Sequence, residues 1–530
     1  MQRRARAFCV SRRGEHLCQS IASRAVQNGG MQQQDRSQIL YLQIAESIAV
    51  PIRAGTLARG ERIPWVRELA RRHSVSSGTV LQAYRMLEDS RLIEARPRSG
   101  YFVAARPPRP PEPEASSPPA SSMAVDVSSL AARVMHLAYD PACVSFGAAC
   151  PSSDLFSQER VRRAVGRAAQ RHRATLTQYT IGPGDESLRR AIARHALRMG
   201  CQLDARDVVV TNSCLESITL CLRSVTEPGD VVALESPTLF SFLEILQNLH
   251  LRALEIPTHP RTGLSIDALQ LALDTQPVKA VLTVPTLSNP IGATMPVAER
   301  RRLAQMVAER RVPLIEDVLY NDLAEDDERR RAVRSFDTTG HVMICGSFSK
   351  TVAPGLRLGW VDPGRFGTNL ARLKQATSGS QSVILERALA DLLTQPGVEA
   401  GYRHMRATLA ARMDEARGSI AEHFPKGTRV TNPAGGLILW TELPRGIDSL
   451  ALFRACLAEN IVIAPGTMFS ATNHFRHCIR LGVGGIWDDA HRRALRRVGS
   501  LAAQLQAGQS SANDAESSES SESSRSSYCK

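Results

Sequence analysis

Apolar positions along this chain keep more than one rhythm, and the changes between rhythms divide it. In "PWVRELARRHSVSSGTVLQAYRMLEDSRLIEARPRSGYFV" (64–103) the spacing is helical at first. Val66, Leu69 and Ala70 share one face while Arg67, Arg71 and Arg72 point elsewhere; Val80, Ala83, Tyr84 and Leu87 recur at i, i+3, i+4 and i+7. Ser74-Val75-Ser76 breaks the pattern, and Ser76 or Ser77 is placed to cap the second helix. "LIEARPRSGYFV" then predicts two short strands with Gly100 at the bend. From residue 126 onward, β-branched runs of strand length take over: "DVVVT" (207–211), "DVVALE" (230–235), "KAVLTVP" (279–285), "VPLIED" (312–317) and "HVMICGS" (341–347). Helical patterns such as "ERRRLAQMVAERR" (299–311) lie between them. That alternation predicts βα units, hence an α/β fold with a mainly parallel sheet.

The segments without rhythm mark the boundaries. Residues 1–35 hold a basic stretch with no trusted period, read either as a disordered arm or, preferably, as an extension upstream of a start at Met31. Residues 36–104 form the helical and ribbon unit. "ARPPRPPEPEASSPPASSM", within 105–125, is Pro/Ser-rich and reads as a semi-rigid linker. Residues 126–506 form the large α/β unit, and the Ser-rich tail 507–530 reads as disordered.

Composition narrows the partners. The formal charge of +14 favours anionic ligands or polyanions, while 5% aromatics argues against a base-stacking surface. The eleven cysteines show no CxxC and no Cys/His pair at zinc spacing, so they predict buried thiols in a reducing compartment rather than a metal site or disulfide framework. No apolar run approaches the roughly 20 residues of a membrane span, and the basic N-terminus lacks the apolar stretch of a signal peptide. The expected location is cytoplasmic.

In the first unit, residues 31–105 carry 11 arginines against 7 acidic residues, a net of +4. Helix, turn, helix and ribbon with that charge suit one helix in the major groove of double-stranded DNA and cations over phosphate. A plain helical hairpin is the alternative. The order Tyr41-x-Gln43-Ile44, Gly55-x-Leu57, Gly60, Pro64, Arg67-Glu68-Leu69-Ala70, Val75-Ser76, Thr79-Val80, Ala83-Tyr84, Leu87, Ser99-Gly100 and Val103 resembles the GntR-type winged helix. The resemblance implies that Arg67, Ser76, Ser77, Thr79 and Gly100 lie at the DNA. Three positions depart from it. Trp65 stands where a small residue is usual, and Ser77 where an arginine is common. Pro51 falls inside the first helix, where it is expected to remove a hydrogen bond and kink the helix at a cost of roughly 3 kcal/mol.

In the second unit, "GSFSKTVAPGLRLGW" (346–360) sets Lys350 between hydroxyls and an arginine. A lysine that can lose its proton forms a Schiff base with an aldehyde. The aldehyde cofactor pyridoxal 5'-phosphate would further need a carboxylate at its ring nitrogen, donors at its phenolic oxygen and a cup for its phosphate. Candidates appear in order. Asp317 ends a strand-like run, Tyr320 follows it, and Asn289 sits in "PTLSNPIG" after another. Ser213 and Cys214 open a helix whose N–H groups would face an anion. Ser347, Ser349 and Arg357 flank the lysine as a phosphate cup, and Arg480 in "CIRLGVGG" could pair with a carboxylate. Singly, each has an ordinary reading as a cap, a turn or a solvated charge.

The ordered set resembles the aspartate-aminotransferase fold (fold type I) across nearly all of 126–500, through "QYTIGPGDESLRRAI", "EPGDVVALESPT", "SNPIG", "EDVLY", "SFSKTVAPGLRLGW", "GGLILW" and "PGTMF…IRLG". The resemblance implies Lys350 as the Schiff-base lysine and Asp317 as the partner of the ring nitrogen. It implies Asn289 and Tyr320 at the phenolic oxygen, Ser347 and Arg357 at the phosphate, and Arg480 at a substrate carboxylate. Tyr179 matches a tyrosine that reaches a partner subunit's phosphate, which implies a homodimer. Two positions depart: Ser213 stands where glycine is frequent, and Leu239, beside Phe240, where an aromatic ring usually stacks on the cofactor.

Joined, the halves resemble the MocR group of transcriptional regulators, implying a DNA-binding protein whose large unit takes pyridoxal phosphate and, in some members, an amino-acid effector. Two alternatives stay open: an active aminotransferase, supported by the complete residue set, and a structural DNA-binding dimer without cofactor, hinted at by Leu239 and Ser213.

Overall fold

The computed structural model describes residues 33–526, apart from 55, 59, 90, 91, 97, 98, 105–109, 126–128 and 473. The basic stretch before Gln33, and with it the choice of Met31 as start, lies outside the described residues, as do residues 527–530. The chain divides into two compact units, Met1–Pro107 and Pro108–Lys530.

The small unit holds helices α1 (Gln33–Ala54), α2 (Val66–Arg72) and α3 (Ser77–Asp89), then the antiparallel strands β1 (Ile93–Arg96) and β2 (Gly100–Val103). Its core is the predicted one: Leu69, Val80, Ala83, Tyr84 and Leu87 are buried with Ile44, Ile48, Ile93 and Val103. Tyr84 carries its hydroxyl into this core because it donates to the Pro64 carbonyl at 2.5 Å. Pro51 does not end α1, which continues to Ala54. Only one turn follows the proline, and its carbonyl accepts from the amides of Thr56 and Leu57, so the chain beyond it is still tied down.

The large unit is built on a nine-stranded mixed sheet. Its strands are β3 (Met123–Ala124), β5 (Val209–Thr211), β6 (Val231–Ser236), β7 (Arg252–His259), β8 (Gly263–Leu264), β9 (Val278–Thr283), β10 (Leu314–Asp317), β11 (Val342–Ser347) and β12 (Gly359–Asp362); β4 (Val144–Ser145) lies outside it, in a two-stranded pair. The order β3-β7-β6-β9-β10-β11-β12-β5 places five parallel strands, β7 to β11, at the centre, with antiparallel neighbours on both sides. Both faces of the centre are covered, which is why β6, β10 and the last four residues of β9 are buried without alternation. A four-stranded sheet follows, from β13 (Arg429–Val430), β14 (Ile438–Glu442), β16 (Ala464–Pro465) and β17 (Cys478–Gly482), while β15 (Ile461–Val462) pairs with β4.

Two segments differ from the sequence reading. Residues 110–124, expected as a spacer, lie docked along the large unit. The Val430 amide donates to the Pro111 carbonyl at 2.8 Å, Ser116 is bonded to Ser236 and Thr258, and β3 pairs with β7. Glu112 and Glu114 pair with Arg261 and Arg429. Prolines without amides and serines with short hydroxyls suit a strap that bonds to strand ends as well as they suit a spacer, and composition alone does not separate the two. At the other end, the last helix spans Asp489–Ser526 and so runs into the segment read as a tail; no proline interrupts it, and Ala494, Leu495, Val498, Leu501 and Ala502 anchor its first half in the core.

Candidate functional site

The centre of the large sheet delivers its chemistry at the ends of the parallel strands, where the chain turns out of the sheet. Asp317 is the last residue of β10, and Lys350 follows β11 by three residues. Asn289 and Tyr320 lie in the segments after β9 and β10. Arg480 comes from β17 of the smaller sheet.

Asp317 is buried, its Oδ1 accepting from the Leu319 amide at 2.8 Å and the Cys214 thiol at 3.4 Å. Burial is the dominant influence and pushes its carboxyl up to about 6, against the pull of those bonds and of Lys350's charge. Tyr320 is buried, with Asn289 Nδ2 donating to its hydroxyl at 3.5 Å, so the two residues expected at a phenolic oxygen meet one another. Asn289 Oδ1 in turn accepts from Arg480 Nη1 at 3.2 Å.

Arg480 is 1% exposed, bonded to Asn289 and the Gly147 carbonyl, and lies 5.1 Å over the Phe469 ring. Its Nε has no partner and no carboxylate pairs with it among the described residues. Burial pulls its guanidinium down to about 10, still charged at neutral pH. A buried cation without a counter-ion is costly, and a bound carboxylate would satisfy it bidentately.

Lys350 Nζ donates to the Ala149 carbonyl at 2.8 Å and to Cys150 Sγ at 2.9 Å. Burial works against the ammonium, but Tyr320, Cys150 and Tyr139 around it hold its pKa above the usual lysine value. Nothing in the sequence marked Cys150 or Tyr139 as neighbours of this amine; they arrive from either side of β4, some 200 positions away in the chain. Tertiary contact alone puts them there.

On the expected phosphate side, Ser347 Oγ donates to the Leu358 carbonyl at 2.8 Å and lies 3.2 Å from Ser349 Oγ. Arg357 is exposed, in the left-handed region at φ 52°, and makes no ion pair among the described residues. Ser213 caps the helix α4 (Cys214–Val225): its hydroxyl accepts from the Glu216 amide at 3.2 Å, while Glu216's carboxylate accepts from the Asn212 amide at 2.5 Å. Ser213 is extended at φ −168°, a conformation open to any residue, which explains why glycine is dispensable there. Gly359 packs so tightly against this turn that a Cβ there would overlap the Ser213 carbonyl. Cys214's side chain points to Asp317, so only its backbone remains for an anion.

Phe240 does not take over the ring position left by Leu239. It is buried edge-on against Phe469 at 6.1 Å between centroids, while Leu239 is partly buried at the start of the helix α5 (Phe240–Asn248). Tyr179 is fully exposed, Leu176 and Ile181 on the same segment are largely exposed, and this chain does not bring Tyr179 to the pocket.

In the small unit the residues expected at DNA lie outside the core. Arg67, Ser76 and Ser77 are exposed and Thr79 is half-buried. Ser76 supplies the cap of α3, its Oγ accepting from the Thr79 amide at 3.1 Å and lying 2.9 Å from Thr79 Oγ1. The wing bend uses Gly100 at φ 98°. Trp65 fits beside it because glycine leaves room: a Cβ at 100 would stand 3.3 Å from the indole. Arg62 stacks on that indole, 3.8 Å from its centroid.

This arrangement defines two classes at once. Residues 152–498 match the family described as aminotransferase class I and II, and residues 40–103 match the gntR family of bacterial regulatory proteins. The chain belongs to the MocR-type transcriptional regulators, in which a GntR helix-turn-helix unit is fused to an aminotransferase-like unit. It is 34% identical over 459 residues to the uncharacterized HTH-type transcriptional regulator YjiR of Escherichia coli (strain K12), covering 87% of this chain and 98% of that one. It is 24% identical to the probable rhizopine catabolism regulatory protein MocR of Rhizobium meliloti, over 80% of this chain and 86% of that protein. The crystal structure of LysN, the alpha-aminoadipate aminotransferase from Thermus thermophilus complexed with N-(5'-phosphopyridoxyl)-L-leucine, matches with a TM-score of 0.64 at 25% identity, over 71% of this chain and 97% of that one. Class I and II aminotransferases depend on pyridoxal phosphate. No helix among the described residues is long and apolar enough to cross a membrane.

Proposed function

We propose that this regulator binds pyridoxal 5'-phosphate in the large unit, senses a carboxylate-bearing amino acid there, and alters its hold on double-stranded DNA in response. One observation carries the reading: a buried carboxylate, Asp317, and a buried guanidinium, Arg480, lie about the amine of Lys350, and neither has an oppositely charged partner within ion-pair reach among the described residues. Two such buried charges, side by side with the amine, are costs that a ligand carrying the complementary groups would offset.

The donor set fits the cofactor. Lys350 is the amine for its aldehyde, and Asp317 the carboxylate for its ring nitrogen. Asn289 and Tyr320 are the donors for its phenolic oxygen; Ser347, Arg357 and the start of α4 at Ser213 and Cys214 are the groups for its phosphate. When bound, pyridoxal phosphate supplies an aldehyde that exchanges imines with amino acids. The protein's own part is to hold and move protons and to orient. Lys350 must shed a proton before its amine can react, and its raised pKa makes that loss harder, so capture should speed up as pH rises. Asp317 holds its charge against burial, ready to pair with a protonated ring nitrogen. Arg480 fixes the effector by its carboxylate. Tyr179, exposed with Leu176 and Ile181, reaches the pocket of a second copy in a homodimer. Arg67, Ser76, Ser77, Thr79 and the Gly100 wing meet the duplex.

Coupling needs only that the ligand bind one arrangement of the dimer better than the other. A gel-shift titration against the DNA upstream of the gene, with and without cofactor and a panel of amino acids, tests this. DNA affinity that responds to none of them overturns the regulatory reading. A second reading, transaminase turnover, draws on the complete set Lys350, Asp317, Asn289, Tyr320 and Arg480 in one pocket; many turnovers per site with an amino donor and a keto acid would favour it.

A further inference from the structure

Beside the amine of Lys350 lies a thiol that cofactor binding does not call for. Cys150 Sγ accepts from Lys350 Nζ at 2.9 Å and stands 3.2 Å from the Tyr139 hydroxyl. Cys201, Cys214, Cys221, Cys345, Cys456 and Cys478 are buried, whereas Cys150 is partly exposed and within reach of small molecules. Burial alone would raise its pKa, yet the charge and hydrogen bond of Lys350, the bond from Tyr139 and the charge of Arg480 bring it below the usual thiol value. Burial drives Cys201, Cys214, Cys345, Cys456 and Cys478 the other way, and Cys143, the other partly exposed thiol, is raised by desolvation and by Asp140. Among the described cysteines, thiolate character and access coincide at Cys150. A second observation points into the same place: the buried Arg480 guanidinium, with Nε unpartnered among the described residues, lends positive charge for an incoming oxygen.

We propose that Cys150 is an oxidation site for small hydroperoxides and that its oxidised sulfur closes on Lys350 as a sulfur–nitrogen bond. In the first step the thiolate attacks the outer peroxide oxygen, an S–O bond forms and the O–O bond breaks. The peroxide is reduced and the sulfur becomes a sulfenic acid. The departing hydroxide or alkoxide takes the proton of the neighbouring Lys350 ammonium and leaves as water or alcohol. In the second step the now neutral amine attacks sulfur, an S–N bond forms, the S–O bond breaks, and the oxygen leaves with the amine's proton as water. Thiol, amine and hydroperoxide thus give a sulfenamide, one alcohol or water, and one further water. Nζ and Sγ are already neighbours, and the flexible lysine stem can close the remaining gap. Oxidation would thereby remove the one amine that can take the aldehyde; this consequence rests on the functional reading above, the bond itself does not.

The full-length protein freed of cofactor is treated with one to a few equivalents of hydrogen peroxide and mapped by peptide mass. The expected product is a cross-link between the Cys150 and Lys350 peptides, lighter by two hydrogens than their sum and released by dithiothreitol. In parallel, samples are incubated with pyridoxal phosphate and reduced with borohydride. Pyridoxylation of Lys350 should fall in proportion to the cross-link and recover with dithiothreitol, and Cys150→Ser should be pyridoxylated equally with and without peroxide. A stable sulfenic acid at Cys150 with no link, equal oxidation of Cys143, or unchanged pyridoxylation despite the link each overturns the proposal. Untreated protein that never fixes the cofactor at Lys350 overturns the functional reading instead, and leaves the cross-link measurable by mass.

Discussion

The two units solve opposite electrostatic problems. The small one keeps Arg67, Ser76 and Ser77 in solvent and buries an almost wholly apolar core, so it can lay charges on a polyanion with little desolvation in the free state. The large one takes charges inside: Asp317, Lys350 and Arg480 sit among buried side chains with few polar partners. A surface of the first kind suits a long ligand contacted at many weak points. A pocket of the second kind suits a small ligand that supplies, group by group, the charges the protein lacks. Mutations in the two units should therefore fail in different ways.

The sharpest division is expected from Lys350→Ala. Covalent capture of pyridoxal phosphate, read as pyridoxyl-peptide after borohydride reduction, should vanish, while DNA binding without ligand stays within about twofold. A folded variant that loses basal DNA binding would break the division.

Asp317→Asn should separate ligand binding from stability. Burial raises this carboxyl to about 6 from 3.8, so the folded protein holds the proton more tightly than the unfolded chain. The sign follows: ionising Asp317 costs stability as pH rises from about 4 through 6, and the full cost persists above. Near pH 8 the asparagine variant of the cofactor-free protein should be more stable, by an amount on the order of 3 kcal/mol for a shift of about two units. The advantage should shrink toward pH 4, and cofactor affinity should drop. Denaturant melts at both pH values check the first part; equal stability at pH 8 would mean that the carboxylate is already compensated in the empty pocket.

Arg67→Ala should act only on the other side of the comparison. Removing one exposed cation is expected to weaken DNA binding by about 1–2 kcal/mol and to lower the slope of log affinity against log salt by about one. Cofactor capture should not change. An unaltered salt slope would remove Arg67 from the phosphate contacts.

How much of this was legible beforehand follows the same division. The spacing of Val80, Ala83, Tyr84 and Leu87 exposed the small unit's core because its contacts are local in sequence. Asp317 was legible at the end of a strand-like run, where parallel strands gather ligands, and Lys350 through the hydroxyls and arginine that flank it. Cys150 and Tyr139 were not, since only tertiary contact brings the segments flanking β4 to Lys350. Ser213, out of place in sequence, is accounted for by its extended backbone and capping bond, which a serine adopts freely. Trp65 was likewise out of place in sequence and is accommodated by Gly100 across the wing.

The smallest effect is expected where the sequence of one region has the structure of another. Residues 110–124 have a linker's composition, yet Ser116 holds them to the large unit through three bonds. Its hydroxyl donates to the Ser236 carbonyl at 2.5 Å and accepts from the Thr258 amide at 2.8 Å, and its own amide donates to the Thr258 carbonyl at 2.9 Å. Ser236 in turn donates to the buried Glu255, which also accepts from Ser470 and the Ala471 amide. The strap is thus wired to the strand end that leads toward Leu239. Ser116→Ala removes two side-chain bonds and keeps the backbone one, so the loss should be about 1 kcal/mol, felt locally. Hydrogen exchange should rise in residues 110–124 while the melting point of the large unit barely moves. Unchanged exchange would show that β3 and the ion pairs of Glu112 and Glu114 hold the strap without this serine, and that it belongs to the large unit as firmly as any strand.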